Sequence, residues 1–173
     1  MVIYIITALV VIICAFIIGV YGYLTFMKLK QRRLWDELYA HIKSKFALLT
    51  DIFDIIKDAY ANESEALKVI ASCLHAFISA KTPSETVAAY SHTQAALHGL
   101  DDALAKYPLL YGSDAYVAFK NEMIGLDEKI AFTSQFYNES AAVFNARLAQ
   151  LPFKAVAGIF NIGMKGKLDF KRQ

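Results

Sequence analysis

The sequence predicts an all-α protein, an antiparallel, up-and-down bundle of about four long helices, the first of which is continuous with an N-terminal transmembrane helix. Three observations lead to this prediction. The first 27 residues carry no charged side chain, and no proline interrupts the chain before residue 83. Beyond the apolar start, apolar residues recur every three or four positions, as on one face of a helix, without the alternation typical of strands.

Residues 2–27 are predicted to form an uncleaved membrane anchor. As a helix, these 26 residues extend over about 39 Å, enough to cross a hydrocarbon core of about 30 Å with some tilt. Tyr4 lies near one end and Tyr21 and Tyr23 near the other, where aromatic side chains suit the membrane interface. A cleaved signal peptide would need a basic start, a shorter apolar run and a small-x-small site, and all three are missing.

The basic residues that flank this segment predict its orientation. No Lys or Arg precedes the segment. Four follow it directly: Lys28, Lys30, Arg32 and Arg33. Positive charge stays on the cytoplasmic side, so we expect the N-terminus outside and the rest of the chain in the cytoplasm. Cys14 then lies in the membrane and Cys73 in a reducing compartment, and no disulfide is expected.

The first helix is predicted to continue to about Tyr60, and a second to follow it. Eight residues of the first share one face: Leu34, Leu38, Ile42, Phe46, Leu49, Phe53, Ile56 and Tyr60. Asn62 and Glu65 fit a capping box that would begin the second helix. Its inner stripe is predicted to be Leu67, Ile70, Leu74 and Phe77.

A third helix is predicted to begin at Thr82, with Pro83 at its first position and Glu85 completing a capping box. It runs to about Lys106, before a turn at residues 107–112. Its inward residues are predicted to be Val87, Tyr90, Leu97, Leu100 and Leu104.

The last long helix is predicted over residues 113–150. Six residues recur seven apart: Tyr116, Met123, Ile130, Tyr137, Phe144 and Leu151. A sustained seven-residue repeat favours long, nearly parallel packing between helices.

Residues 127–160 carry a recognisable series of short motifs. They are Ile130-Ala131, Tyr137-Asn138, Phe144-Asn145, Leu151-Pro152 and Ala157-Gly158. In this order they resemble the C-terminal signature of the LemA family. The resemblance implies a single-pass anchor in a bacterial inner membrane, joined to a cytoplasmic helical bundle. It implies no enzyme activity. The sequence departs from the family pattern at Ser134, where an Arg is usual, and at Asp51, where a proline is usual.

Two interpretations of Asn138 and Asn145, one heptad apart, stay open at this stage. In the first, they form a shared polar stripe that binds a partner or fixes the register of the helices. In the second, they form hydrogen bonds across neighbouring helices.

The charge pattern suggests a second contact with the membrane. Residues 34–153 carry a net charge of −6, whereas residues 154–173 carry +4. The predicted interface residues at this end are Phe153, Ile159, Phe160, Lys165 and Lys167. Apolar residues beside lysines suit an anionic leaflet. The alternative is that this tail, residues 153–173, caps the open end of the bundle.

No catalytic, cofactor-binding or metal site is predicted. His92 and His98 are six apart, which does not place two ligands on one helical face. Cys73 is predicted to be a small buried residue, because it lies in mid-helix among apolar neighbours. Asp127 and Glu128 are interpreted as solvated surface.

These observations divide the chain into an anchor (residues 1–27), a cytoplasmic bundle (residues 28–152) and an apolar, basic tail (residues 153–173). The predicted function is a non-enzymatic membrane scaffold or adaptor. Its partners would be membrane lipids, other proteins and copies of itself, and no nucleic acid. The alternative is an accessory subunit of a membrane enzyme or of a membrane-remodelling or transport assembly.

Overall fold

The computed structural model describes residues 1–60, 65–104, 112–168 and 170, and it describes only the backbone at residues 59–60, 65–66 and 98–104. Five helices lie within these ranges. They are α1 (Val2–Tyr60), α2 (Glu65–Ser79), α3 (Pro83–Leu104), α4 (Asp114–Leu148) and α5 (Phe153–Ile159). The described residues include no strand, and the predicted all-α class is confirmed.

The prediction that α1 continues without a break from the apolar start into the bundle is also confirmed. It extends over 59 residues, about 88 Å at 1.5 Å per residue. The predicted cap at Asn62 and the predicted turn at Tyr107 and Pro108 lie outside the described residues.

The chain divides into two compact units. Unit 1 contains residues 1–36 and 135–167, and unit 2 contains residues 37–134 and 168–173. Both α1 and α4 contribute residues to each unit.

In unit 1, α1 and α4 run antiparallel. Val20 and Leu24 of α1 share a buried cluster with Phe144 and Leu148 of α4. Further along α1, the Trp35 ring lies edge-on to the Tyr137 ring, with centroids 6.1 Å apart. Residue numbers rise along α1 as they fall along α4, which is the predicted antiparallel arrangement.

In unit 2, α1 packs against α2 through stacked aromatic rings. The centroids of Phe46 and Phe77 are 4.0 Å apart, with ring planes 10° from parallel. The α2 and α3 helices also pack on each other. The core side chains that α1 contributes to this unit are buried: Leu38, Ile42, Phe46, Leu49, Ile52 and Ile56.

The predicted capping box of α3 is present. The Glu85 carboxylate accepts hydrogen bonds from the backbone N–H of Lys81 (2.6 Å) and Thr82 (3.1 Å). In return, the Thr82 hydroxyl accepts one from the backbone N–H of Glu85 (3.2 Å). These bonds to the carboxylate lower the pKa of Glu85.

The predicted seven-residue seam of α4 is confirmed at five of its six positions. Tyr116, Met123, Ile130, Tyr137 and Phe144 are all buried. The sixth prediction is wrong: Leu151 is 79% exposed. Because α4 ends at Leu148, the chain leaves the helix before residue 151, and Leu148 fills the last buried position instead.

Candidate functional site

The first third of α1 presents apolar side chains that are almost all exposed in unit 1. Residues 1–16, 18 and 19 are exposed, and Ile17 is half-buried. Within the described part of the chain, α1 alone is long and apolar enough to cross a membrane. Burial begins at Val20, which is 8% exposed, and is complete at Leu24.

The tail packs on α1 where this exposed stretch ends. Val156 and Ala157 of α5 are buried in the cluster that contains Val20 and Leu24 of α1. The half-buried Ile162, just beyond α5, packs against the same cluster. One face of α5 therefore closes the core of unit 1, as the capping interpretation of the tail expects.

Two aromatic pairs strengthen this contact. The ring centroids of Tyr21 and Phe160 are 4.4 Å apart, and those of Tyr23 and Phe153 are 5.6 Å apart. Such pairs contribute about 0.5–1.5 kcal/mol each beyond the area that they bury. Tyr21 and Tyr23, two of the three tyrosines predicted to mark the membrane interface, are thus the ones that the tail contacts.

The Asn145 side chain holds the tail at Lys165. Its amide nitrogen donates a hydrogen bond to the Lys165 carbonyl (2.8 Å), and its amide oxygen accepts one from the Lys165 backbone N–H (2.9 Å). Asn145 therefore binds the backbone of the tail, an arrangement that neither sequence interpretation foresaw. Asparagine suits this position because its amide offers a donor and an acceptor side by side.

The structure divides the predicted interface residues into exposed and packed groups. Six basic side chains are exposed: Lys28, Lys30, Arg32, Arg33, Lys165 and Lys167. Ile159 is 68% exposed and Phe160 is 46% exposed, whereas Phe153 is half-buried against the core of unit 1. The two exposed apolar side chains lie on α5 and at its C-terminal end.

Most of the remaining motif residues are buried or half-buried in the protein. Phe144 is fully buried, and Tyr137 is 8% exposed, with a pKa raised by its burial. Asn138 and Pro152 are half-buried. Ser134, at the position of the usual arginine, is buried and donates a hydrogen bond to the Ala131 carbonyl (2.8 Å).

Gln31 is a buried polar residue of unit 1 that the sequence reading missed. It is 2% exposed, and within the described residues neither amide atom has a hydrogen-bond partner. Leaving such a group unsatisfied costs about 1–3 kcal/mol.

Unit 2 contains a buried polar cluster centred on Lys45, which is fully buried. Its ammonium donates hydrogen bonds to Asp127 Oδ1 (2.5 Å) and to Gln94 Oε1 (2.7 Å). The Tyr90 hydroxyl donates to the same Asp127 oxygen (3.0 Å) and accepts from Gln94 Nε2 (2.9 Å). Each polar group in this cluster thus has a partner.

The electrostatics of the cluster follow from its burial. Desolvation lowers the pKa of Lys45, although the hydrogen bond and charge of Asp127 oppose the shift. Desolvation and the nearby Asp127 charge raise the pKa of Tyr90 well above its ordinary value. The ammonium also lies 5.0 Å from the centre of the Tyr90 ring, a favourable cation–π contact.

The sequence interpretation was incomplete here. Asp127, predicted to be solvated surface, is the ion-pair partner of a buried lysine. A signal was available: Lys45 lies three residues after Ile42 and four before Leu49, on the buried stripe of α1. A lysine on such a stripe needs a partner, because burying an unpaired charge is costly.

Among the described residues, no group of three or more His, Cys, Asp or Glu side chains could hold a metal ion. Cys73 is 1% exposed, as predicted for a small buried residue.

The fold therefore defines a helical bundle joined without a break to an apolar N-terminal helix. The family model described as LemA family matches residues 34–173, beginning just after the basic flank of the apolar segment. The chain belongs to the LemA family. A comparison with individually curated proteins finds no match.

Proposed function

We propose that this LemA-family chain is a single-pass, membrane-anchored scaffold or adaptor without catalytic activity, which presents its helical bundle to protein partners in the cytoplasm of a bacterium. The observation that carries the proposal is the single helix α1, which joins an exposed apolar stretch to the bundle. A continuous helix of this kind tethers the bundle to the bilayer.

The depth of insertion follows from where burial begins. Residues 2–19 extend over about 27 Å, close to a hydrocarbon core of about 30 Å. The basic residues Lys28, Lys30, Arg32 and Arg33 lie about 14–21 Å further along the helix. A run of basic residues on this side of the apolar stretch alone supports an N-terminus outside.

A scaffold role is supported by the buried cluster around Lys45 in unit 2, because its polar groups bond to one another and are not open to a substrate. A lysine acting as a nucleophile must reach its substrate, and Lys45 is fully buried. Its hydrogen bonds go to Gln94 and Asp127, so the cluster holds α1, α3 and α4 together. By contrast, α4 presents exposed apolar side chains, among them Val117 and Ile124, to solvent.

Photo-crosslinking in native membranes tests the scaffold role. A photoreactive amino acid replaces Ile124, which is 56% exposed, or Ile130 of the same helix, which is 1% exposed. We expect discrete heavier products from position 124 and none from position 130. A product of twice the chain mass would identify a second copy as the partner. The absence of any product at position 124 would contradict a scaffold role.

A further inference from the structure

The exposed side of the tail has the composition of a membrane-binding surface. Val156 and Ala157 point into the core of unit 1. By contrast, the C-terminal end of α5 and the residues that follow it expose Ile159 (68%), Phe160 (46%) and Met164 (70%). Soluble surfaces seldom gather large apolar side chains in this way unless they bind something.

Basic residues flank these apolar residues in the sequence. Lys154, Lys165 and Lys167 of the tail are all exposed. Unit 1 as a whole contains eight basic and two acidic side chains, a net charge of +6. An apolar patch bordered by lysines is suited to an anionic lipid surface, where the lysines meet headgroups and the apolar side chains enter the acyl boundary.

The contact with α1 brings the exposed side of the tail to the level where the hydrocarbon core would end. Phe160 lies against Tyr21, and Tyr21 comes about 30 Å along α1 from its first residue. That distance equals the thickness of a hydrocarbon core. The two hydrogen bonds from Asn145 hold Lys165 to the same unit, so the tail is fixed beside the anchor.

We propose that residues 154–167 form a second membrane contact, which binds anionic headgroups of the cytoplasmic leaflet while Ile159, Phe160 and Met164 enter its acyl boundary. This inference rests on the proposed anchoring of α1. The tail then has two roles at once: its inner side closes the core of unit 1, and its outer side lies on the bilayer.

Fluorescence quenching by brominated lipids tests the proposal in the full chain, reconstituted in nanodiscs that contain anionic lipid. The single tryptophan is first removed by Trp35→Phe. One reporter is then added per protein: Phe160→Trp in the tail, Leu9→Trp in the anchor, or Ile78→Trp on α2 as the matched control. Leu9 and Ile78 are exposed apolar positions like Phe160, so these substitutions leave the core intact.

We expect strong quenching of the Leu9→Trp and Phe160→Trp proteins and little quenching of the Ile78→Trp protein. If the Leu9→Trp protein is quenched but the Phe160→Trp protein behaves like the Ile78→Trp protein, the tail contact is overturned while the anchor stands. If the Leu9→Trp protein is not quenched, the proposed anchoring fails, and this inference fails with it.

A charge variant tests the choice of anionic lipid. In the Phe160→Trp background, replacing Lys154, Lys165 and Lys167 by Gln should weaken docking of the tail by a factor of about five for each lysine. The loss should be seen in anionic nanodiscs and be absent in zwitterionic ones. Equal quenching of the parent and the triple variant in anionic nanodiscs would overturn the headgroup contact.

Discussion

The ion pair of Lys45 and Asp127 should respond very differently to removal of its two partners. The Lys45 side chain is 0% exposed, whereas that of Asp127 is 34% exposed. In Asp127→Asn the ammonium stays buried without a counter-charge. Such a loss typically costs about 3–5 kcal/mol. In Lys45→Met the carboxylate left behind can still be hydrated, so we expect a loss of only about 1 kcal/mol.

An upper limit on the first loss follows from titration. The buried lysine can release its proton rather than remain charged. Doing so at pH 7 from an ordinary pKa near 10.4 costs about 4.6 kcal/mol. The free energy lost in Asp127→Asn should therefore lie between about 3 and 4.6 kcal/mol. The asparagine keeps an oxygen that can accept from Tyr90, so the change isolates the charge.

The sign of the pH dependence is fixed by the same reasoning. Burial lowers the pKa of Lys45 in the folded protein. Between this lowered pKa and the ordinary lysine pKa, the unfolded chain binds more protons than the folded one, and stability rises with pH. Without Asp127 the pKa of Lys45 falls further, so the penalty of Asp127→Asn should shrink as the pH rises, by up to about 1.4 kcal/mol per pH unit, until the pH reaches the folded-state pKa of Lys45 in the parent protein.

The assay is urea-induced unfolding of the full chain in mild detergent, followed by circular dichroism at pH 7 and pH 9. The double variant Lys45→Met/Asp127→Asn should be about as stable as Lys45→Met alone, because no buried charge remains in it. A larger loss for Lys45→Met than for Asp127→Asn, or a penalty that does not change with pH, would refute the reasoning.

Three further predictions concern α3, the tail and Gln31. Glu85→Gln should abolish the loss of α3 stability on acidification. Because the pKa of Glu85 is lowered in the folded protein, its contribution to stability is present above pH 4.5 and is lost as the pH falls through the folded pKa. Amide exchange of α3 between pH 3 and 6 measures this loss, and an identical acid response in both proteins would contradict the prediction. Asn145→Ala removes two hydrogen bonds to Lys165 and should destabilise the tail by about 1–3 kcal/mol. We expect faster amide exchange at residues 153–165 and unchanged exchange in α2. Unchanged exchange in the tail would disprove the role of Asn145 in holding it. Gln31→Met replaces a buried amide without partners among the described residues and should raise the free energy of unfolding by about 1 kcal/mol, whereas a loss of stability would show that the amide is satisfied.

Much of the fold could be predicted because it depends on local signals. The unbroken α1 follows from a proline-free, largely apolar stretch. The start of α3 follows from the reciprocal bonds that Thr82 and Glu85 make. The seam of α4 follows from spacing alone, up to Phe144. The prediction that Leu151 belongs to the seam failed, because periodicity does not indicate where a helix ends.

The two candidate sites depend on contacts that are distant in sequence, and they were harder to predict. Lys45 and Asp127 are 82 residues apart, and only the fold shows that they meet. Asn145 was recognised as a motif residue, but its partner is a backbone 20 residues later in an irregular segment. Because Asn145 binds the backbone of Lys165, the bond does not depend on which side chain that residue carries. The sequence therefore contains no pattern that would identify Lys165 as the partner.

Cysteine labelling of intact and inverted membrane vesicles tests the central claim most directly. In a background of Cys14→Ala and Cys73→Ala, the chain carries either Val2→Cys, at the start of α1, or Ser79→Cys, at the exposed end of α2. With a membrane-impermeant thiol reagent, Val2→Cys should react in vesicles of native orientation, and Ser79→Cys only in inverted ones. Reaction of both positions from the same side would contradict a single membrane crossing by α1.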